Sequence, residues 1–248
     1  MADRAGGHVT TLRPALRADE SEARLLERFT AHGVLRDVER LSHDGFLDVL
    51  LQRRFLSLQF AVVYDIGIDG LTDPTAIGLV REILREEYPD PAGATPSHRE
   101  DLVDDLLTLG VTRAQVLGSR PTAVTARVIE DTLSIMLAAA EEDGDAGVLT
   151  MLRFWGEVLV SVEYGEFWRR MAPSFAVAGT SSRFYHPHHH HDGREPLAAA
   201  SQSSCTHSGR LGACLVAELA SDADVARFAA TEQRLLDTRL RFYDQFSA

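Results

Sequence analysis

The sequence contains no lysine, because all 25 of its basic residues are arginines. This absence excludes chemistry that depends on a lysine amine, such as Schiff-base formation or phosphate binding by a P-loop lysine. Cysteine is scarce as well, since Cys205 and Cys214 are the only two and are not spaced as C-x-x-C. Two cysteines are too few for a disulfide framework, which favours a reducing compartment.

Long apolar runs are also missing. No run reaches the roughly 18–20 residues that a membrane span requires, and the N-terminal segment lacks the apolar core of a signal peptide. We therefore predict a cytoplasmic protein with no membrane partner. Acidic residues number 37 against 25 arginines, which gives a net charge of −12. Because this charge repels a phosphate backbone, and no basic stripe is interleaved with aromatics, we expect no nucleic-acid partner.

Helical periodicity accounts for nearly all of the apolar patterning. Residues 1–18 lack it and are predicted to be a disordered arm, whereas residues 19–248 are predicted to form a single helical domain. Segments of helical period occur at residues 20–32, 44–64, 73–88, 97–109, 122–140, 146–171, 183–218 and 222–246. Because strand alternation and internal repeats are lacking, the sequence predicts an all-α bundle of about seven to eight helices.

Three local signals predict where helices begin or end. The proline after Asp73 falls in the favoured first turn of a helix that ends near Tyr88. Ser97-x-x-Glu100 has the spacing of a capping box, which predicts a helix start. Gly110 stands where the C-terminal cap of that helix belongs.

A carboxylate on the apolar face of a helix is costly without a partner, so such positions are candidate sites. Glu87 shares a face with Val80 and Leu84 and is predicted to point toward the core. The alternative is a helix-end glutamate at the surface. His98 begins its helix on the side of Leu102, so its ring can face inward, although a histidine at a helix start is more often a surface residue.

Glu163 gives a clearer signal of the same kind. Apolar residues surround it in VLVSVEYGEFW, and its own face carries Leu159 and Phe167. We predict a buried carboxylate that requires a cation. Glu166 lies close by but has arginines at positions i+3 and i+4, so an ordinary surface ion pair is the better interpretation there.

The most unusual segment is FYHPHHHHDGREP, residues 184–196. His188, Asp192 and Glu195 stand at i, i+4 and i+7, so a continuous helix would place all three on one face, where they could bind one ion. Imidazole and carboxylate ligands suit iron, manganese or zinc. Alternatively, Asp192 is the N-cap of a helix that starts at Gly193, and the histidines form a loop that binds metal only adventitiously.

Taken together, these elements resemble the haem-oxygenase-like diiron oxidases and oxygenases, relatives of thiaminase II and of the pyrroloquinoline-quinone synthase fold. In that family a core helix ends in a ligand glutamate, and a loop then leads to a ligand histidine. A later helix supplies a second glutamate, and a third carries His-x3-Asp-x2-His. The corresponding residues here are Glu87, His98, Glu163, His188, Asp192 and Glu195. Glu195 departs from the pattern, because it stands where the family has its last histidine.

The resemblance covers residues 44–245 and implies a haem-oxygenase-like bundle that binds two iron ions, or manganese, with O2 as co-substrate. It implies an oxidase or oxygenase that acts on a small amino- or fatty-acid-like molecule, by N-oxygenation, desaturation or C–C cleavage. Glu87 and His98 would bind one iron, His188 and Asp192 the other, and Glu163 would bridge them. Relatives of this fold commonly pair through their helical faces, so the resemblance also implies a homodimer.

Two other functions remain open from the sequence. One is a non-catalytic helical protein with a degenerate metal site, which binds a small molecule or a partner. The other is a thiaminase-like hydrolase, but this requires a cysteine nucleophile in the pocket, and neither cysteine of the chain stands in a recognisable site for one.

Overall fold

The computed structural model describes residues 6–90, 92 and 94–247. Within these residues all secondary structure is helical and no strand occurs, which confirms the predicted all-α class. A 3-10 turn, Val38–Arg40, follows the second helix, and a π-helical segment, Leu152–Val158, joins the eighth helix directly to the ninth. The helices are α1 Gly6–Thr30, α2 Gly33–Arg36, α3 His43–Ser57, α4 Phe60–Gly70, α5 Pro74–Glu86, α6 His98–Thr108, α7 Arg113–Gly118, α8 Ala123–Met151, α9 Leu159–Ala178, α10 Tyr185–His191, α11 His207–Glu218 and α12 Asp222–Asp244.

The predicted helix ends around the site are confirmed. Asp73 caps α5, because its side chain accepts a hydrogen bond from the backbone N–H of Ala76. Ser97 and Glu100 form the capping box of α6 in both directions. Gly110 follows α6 with a φ of 102°, a left-handed conformation that glycine adopts at little cost.

The long helix predicted at residues 44–64 is in fact two helices. Helix α3 ends at Ser57, and α4 begins at Phe60 after a tight turn in which the Gln59 N–H donates to the carbonyl of Leu56. Neither proline nor glycine marks this turn, so the sequence carries no breaking signal there. This division and the short helices α2 and α7 raise the number of helices above the predicted seven to eight.

The N-terminal boundary also differs from the prediction. Residues 1–5 of the predicted arm lie outside the described residues, whereas Gly6–Thr30 is one helix. Ala15 and Ala18 of this helix are buried in the core. Alanine adds little to an apolar periodicity, and the pattern therefore missed these first turns of α1.

The core is formed where the longest helices pack together. Helix α12 lies against both α8 and α1, while α4 lies against α8 and α10 against α9. Helix α8 is interrupted at Gly144, whose φ of 58° breaks the helical path in the gap predicted between residues 140 and 146. No helix in the described part of the chain is long and apolar enough to cross a membrane.

Candidate metal centre

Imidazole and carboxylate side chains from separate elements converge inside the bundle. They come from the end of α5, the start of α6, the π-helical segment, α10 and the start of α11. They surround a small gap that Phe60 and Ile83 help to close. These side chains are Glu86, Glu87, His98, Glu157, His188, His191, Asp192 and His207.

One half of the cluster consists of Glu87, His98 and His188, whose ligand atoms all lie within 4.8 Å of one another. His98 Nδ1 is 2.8 Å from Glu87 Oε1. His188 is fixed by a hydrogen bond of 2.6 Å between its Nδ1 and the carbonyl of Phe184. Because a carbonyl can only accept, Nδ1 of His188 carries the proton and Nε2 keeps its lone pair as a potential ligand.

The other half consists of His191, Asp192 and His207, which satisfy the same 4.8 Å criterion. His191 Nδ1 lies 2.5 Å from Asp192 Oδ1, and His207 Nδ1 lies 3.4 Å from the same oxygen. His207 is the first residue of α11, which Thr206 caps through its side chain. The cap therefore fixes the position at which this imidazole enters the cluster.

Glu157 is fully buried and lies beside this second half. Its Oε2 is 3.3 Å from His207 Nδ1, and its Oε1 accepts a hydrogen bond from the hydroxyl of Tyr64. Glu86 approaches the other imidazole nitrogen of His207, at 3.4 Å from Nε2. A π-helix inserts an extra residue per turn and is frequent at functional sites, and here it contains Glu157.

The proximity of these groups changes their proton affinities. Burial and the negative charge of Asp192 raise the pKa of Glu157 to about 7, although His207 and Tyr64 oppose this effect. Burial lowers the pKa of His188 to about 4, so its imidazole is neutral at pH 7. Burial opposes a charge on His207, but the carboxylates of Asp192, Glu157 and Glu86 prevail and raise its pKa.

The donor set fits a transition-metal ion. Asp192 Oδ1 and His191 Nδ1 are buried and lie 2.5 Å apart, but neither atom makes a hydrogen bond of normal geometry among the described residues. A buried carboxylate oxygen and a buried imidazole nitrogen that lack well-formed hydrogen bonds are costly, and a bound cation would satisfy both. Mixed imidazole and carboxylate ligands suit iron, manganese or zinc better than magnesium or calcium, which prefer oxygen alone.

Four of the six predicted ligands come together in this cluster. Glu87, His98, His188 and Asp192 all lie in it, but His188 is grouped with Glu87 and His98 and not, as the resemblance implied, with Asp192. Glu87 is the C-terminal cap of α5 and is partly buried, so it is not the surface residue of the alternative interpretation.

The structure places Glu163 elsewhere. Its Oε2 lies 2.5 Å from Arg53 Nε and 3.0 Å from Arg239 Nη1, and its Oε1 accepts a hydrogen bond from Tyr243. The buried carboxylate therefore has the cation that we predicted, but the cation is a pair of guanidinium groups. Because arginine is rarely fully buried, the pattern gave no reason to expect two of them in the core.

Glu195 also lies outside the cluster, because α10 ends at His191 and the next residues are not helical. Its carboxylate accepts hydrogen bonds from Ser204 at 2.8 Å and Thr206 at 3.2 Å. Neither interpretation of this segment is therefore correct. Helix α10 contains the histidines, as the ligand hypothesis required, but it stops before it can include Glu195. Nor does a helix begin at Gly193.

Sequence reasoning missed Glu157, His191 and His207. Glu157 lies in the apolar run LRFWGEVLV, within the π-helical segment. This context indicates a buried carboxylate as strongly as the apolar surroundings of Glu163 do. His207 follows a threonine that caps a helix, but it stands 12 residues beyond Glu195 and no spacing connects the two. His191 stands at i+3 from His188, a spacing that places both on one face of a helix and could have identified it.

A cavity of about 330 Å³ adjoins the cluster, and its volume is typical of a pocket for a small molecule. Glu87, His98 and His188 form part of its wall, so this half of the cluster faces the cavity. Most of the remaining wall is apolar, with Phe60, Leu102, Trp155 and Val160 among the lining side chains. The guanidinium groups of Arg53 and Arg239 line it too.

No known protein-family profile matches the chain, and no curated protein matches its sequence. Solved structures match its fold. A CADD-like protein of unknown function from Nostoc punctiforme has a TM-score of 0.63 at 14% identity, over 93% of this chain and 97% of that protein. A TenA family transcription regulator from Silicibacter sp. TM1040 has a TM-score of 0.60 at 16% identity, over 93% and 94%.

A TenA homologue from P. horikoshii OT3 matches with a TM-score of 0.57 at 12% identity, over 94% of this chain and 97% of that protein. Identities this low establish the fold and leave the activity open. The chain therefore has the haem-oxygenase-like fold that TenA and CADD-like proteins share, as the sequence resemblance predicted.

Proposed function

We propose that the protein is a non-haem diiron oxidase or oxygenase that activates O2 and acts on a small molecule in the adjoining cavity. The observation that supports this proposal is the convergence of two groups of imidazole and carboxylate ligands on one buried gap. Similarity in fold to a CADD-like protein is compatible with it. Manganese is an alternative metal, because the same ligands suit it.

Each half of the cluster would bind one metal ion. Glu87, His98 and His188 would hold the first, and His191 and Asp192 would hold the second together with His207. Glu157 takes the place of Glu163 in this ligand set. It lies against the second group and would be a further carboxylate ligand there. Glu195 is not part of this ligand set, because its carboxylate already accepts hydrogen bonds from two hydroxyl groups.

Bound iron would supply the reduction of O2, which no amino-acid side chain performs. The residues of the chain would hold and orient the ligands, exclude water and position the substrate. The carbonyl of Phe184 fixes the tautomer of His188, and the Tyr64 hydroxyl fixes the orientation of Glu157. The apolar wall of the cavity favours a substrate with a hydrocarbon portion next to Glu87 and His98.

The decisive experiment is anaerobic loading with Fe(II), followed by removal of unbound iron and measurement of iron per chain. We expect about two equivalents for the wild-type protein, and uptake of O2 when the loaded protein meets air. Glu157→Gln keeps the size and burial of the side chain but removes its charge. We expect this variant to lose at least one equivalent.

The matched control is Glu166→Gln, a glutamate of the adjacent helix whose partner is Arg169 at the surface. This control should retain the full iron content. Iron at less than one equivalent in the wild-type protein, or equal iron in Glu157→Gln, would contradict the proposal and favour a non-catalytic binding protein. A thiaminase-like mechanism has less support, because neither Cys205 nor Cys214 lines the cavity.

A further inference from the structure

A second, arginine-rich groove lies on another side of α6 from the candidate metal centre. It has a volume of about 410 Å³ and is formed by α3, α6, α7 and the residues that follow α7. Among the described residues, no carboxylate lines it. The lining residues with a positive charge are Arg54, Arg99, Arg113 and Arg120.

None of these four arginines forms an ion pair with a carboxylate of the described residues. Arg54 donates to the carbonyl of Val116 at 3.2 Å and to Ser119 Oγ at 2.9 Å. Arg120 donates to the backbone carbonyls of Leu117 and Ser119. The charge of the groove is therefore not neutralised by the part of the chain that the structure describes.

Arg54 provides the second observation. It is only 8% exposed, and its Nε is buried without a hydrogen-bond partner among the described residues. Its pKa is lowered by burial and by the positive charge of Arg99. A buried cation beside other cations is costly unless an anion balances it. The chain has a net charge of −12, yet four arginines without a carboxylate partner among the described residues line this one groove. Their arrangement indicates a site for an anionic ligand.

We propose that this groove binds a small molecule that carries a phosphate group. A phosphate offers several acceptor oxygens and up to two negative charges, which match the planar forks of guanidinium groups. Phe55, Val103 and Leu117 also line the groove and would contact an apolar portion of the same molecule. A nucleic acid is a poor alternative, because the acidic remainder of the chain would repel a long phosphate backbone.

The groove is close to the candidate metal centre without being part of it. Arg99 directly follows His98 in α6 and lines both the groove and the cavity. A ligand held by Arg99 would therefore lie beside the cavity wall. The proposal does not depend on iron, because none of the four arginines is a candidate metal ligand.

The test is calorimetric titration of the chelator-treated, iron-free protein with inorganic phosphate and with phenyl phosphate at constant ionic strength. We expect saturable binding of one phosphate per chain and tighter binding of phenyl phosphate, because its ring adds an apolar contact. Phenol should not bind. Arg99→Gln and Arg113→Gln, both at exposed positions, should each raise the dissociation constant about tenfold or more, since each removes a charged hydrogen bond.

The matched control is Arg234→Gln, an exposed arginine of α12 that also has no carboxylate partner among the described residues. It should leave the affinity unchanged. Absence of saturable heat in the wild-type protein would overturn the proposal. So would an equal loss of affinity in Arg234→Gln and Arg99→Gln, because it would identify the binding as a diffuse effect of surface charge.

Discussion

At the scale of single residues, Glu163 illustrates how a buried charge is stabilised. Both of its oxygens accept hydrogen bonds, from Arg53, Arg239 and Tyr243. These partners lower the pKa of Glu163, although burial alone would raise it. Two guanidinium groups share one carboxylate, so the loss of that carboxylate would leave two buried positive charges without a counter-ion.

We therefore expect Glu163→Gln to reduce the free energy of unfolding by about 3–5 kcal/mol, measured by urea denaturation. Glu166→Gln, which removes one partly exposed ion pair with Arg169, should cost less, about 1 kcal/mol. Under conditions where Glu163→Gln remains folded, it should keep the iron content of the wild-type protein. Equal stability of the two variants would contradict the assignment of Glu163 to a structural ion cluster.

Glu232 provides a residue-scale test of pH dependence. It is fully buried beside Glu22, whose oxygens are already bound by Arg153 and Arg194. Both oxygens of Glu232 lack a hydrogen-bond partner among the described residues. Burial and the charge of Glu22 raise the pKa of Glu232 well above its ordinary value, against the opposing effect of Arg153.

Above the ordinary glutamate pKa of about 4.3, the unfolded chain has released this proton, while the folded protein still holds it. Stability therefore falls as the pH rises from that value toward the folded-state pKa. Glu232→Gln carries no titrating group at this position. As the pH rises from about 6 to 8, the free energy of unfolding should therefore fall further in the wild-type protein than in this variant. Parallel stability curves would contradict this expectation.

At the scale of secondary-structure elements, the π-helical segment determines the position of Glu157. Gly156 precedes it and also lines the cavity. A Cβ atom at position 156 would lie 3.0 Å from the hydroxyl oxygen of Tyr64 and 3.1 Å from its Cε2. Tyr64 is fully buried, so it has little room to move away.

We expect Gly156→Ala to displace the Tyr64 hydroxyl from Glu157 and to reduce iron affinity, at a cost in stability of about 1–3 kcal/mol from overpacking. The control is Gly78→Ala in α5, where a Cβ would meet nothing within 4 Å. This helix-interior change should stabilise the protein by roughly 0.5–1 kcal/mol and leave iron binding unchanged. Full iron content in Gly156→Ala would show that the glycine does not support the site.

Elements with a chemical signal at their ends could be predicted from the sequence, and those without one could not. The caps at Asp73 and Ser97 act through neighbouring residues, so their patterns located α5 and α6 correctly. The turn between α3 and α4 and the early end of α10 depend on packing between distant segments. The same distinction applies to the site. Glu87 and His98 follow from local helix faces, whereas His207 enters the cluster only through the tertiary fold.

At the scale of the whole molecule, the homodimer remains a prediction. Several apolar side chains are exposed on the single chain, with Val177 at 91% and Leu137 at 51%. Burial of such residues against a second copy would stabilise association. Light scattering at micromolar concentration should give twice the 27.3 kDa mass of one chain. A mass equal to a single chain would contradict the prediction.

The candidate metal centre should also stabilise the entire fold, because its ligands come from α5, α6, the π-helical segment, α10 and α11. An ion that binds only the folded protein stabilises it by about 2.7 kcal/mol at a concentration one hundred times its dissociation constant. For a chain of this size, such a gain corresponds to a rise in melting temperature of roughly 5–10 °C. We therefore expect Fe(II) or Mn(II) to raise the melting temperature and a chelator to reverse the rise.

Mg2+ should have little effect, because it prefers oxygen ligands in octahedral geometry. The same titration on Glu157→Gln should give a smaller shift, and an equal shift in this variant or with Mg2+ would indicate binding away from the cluster.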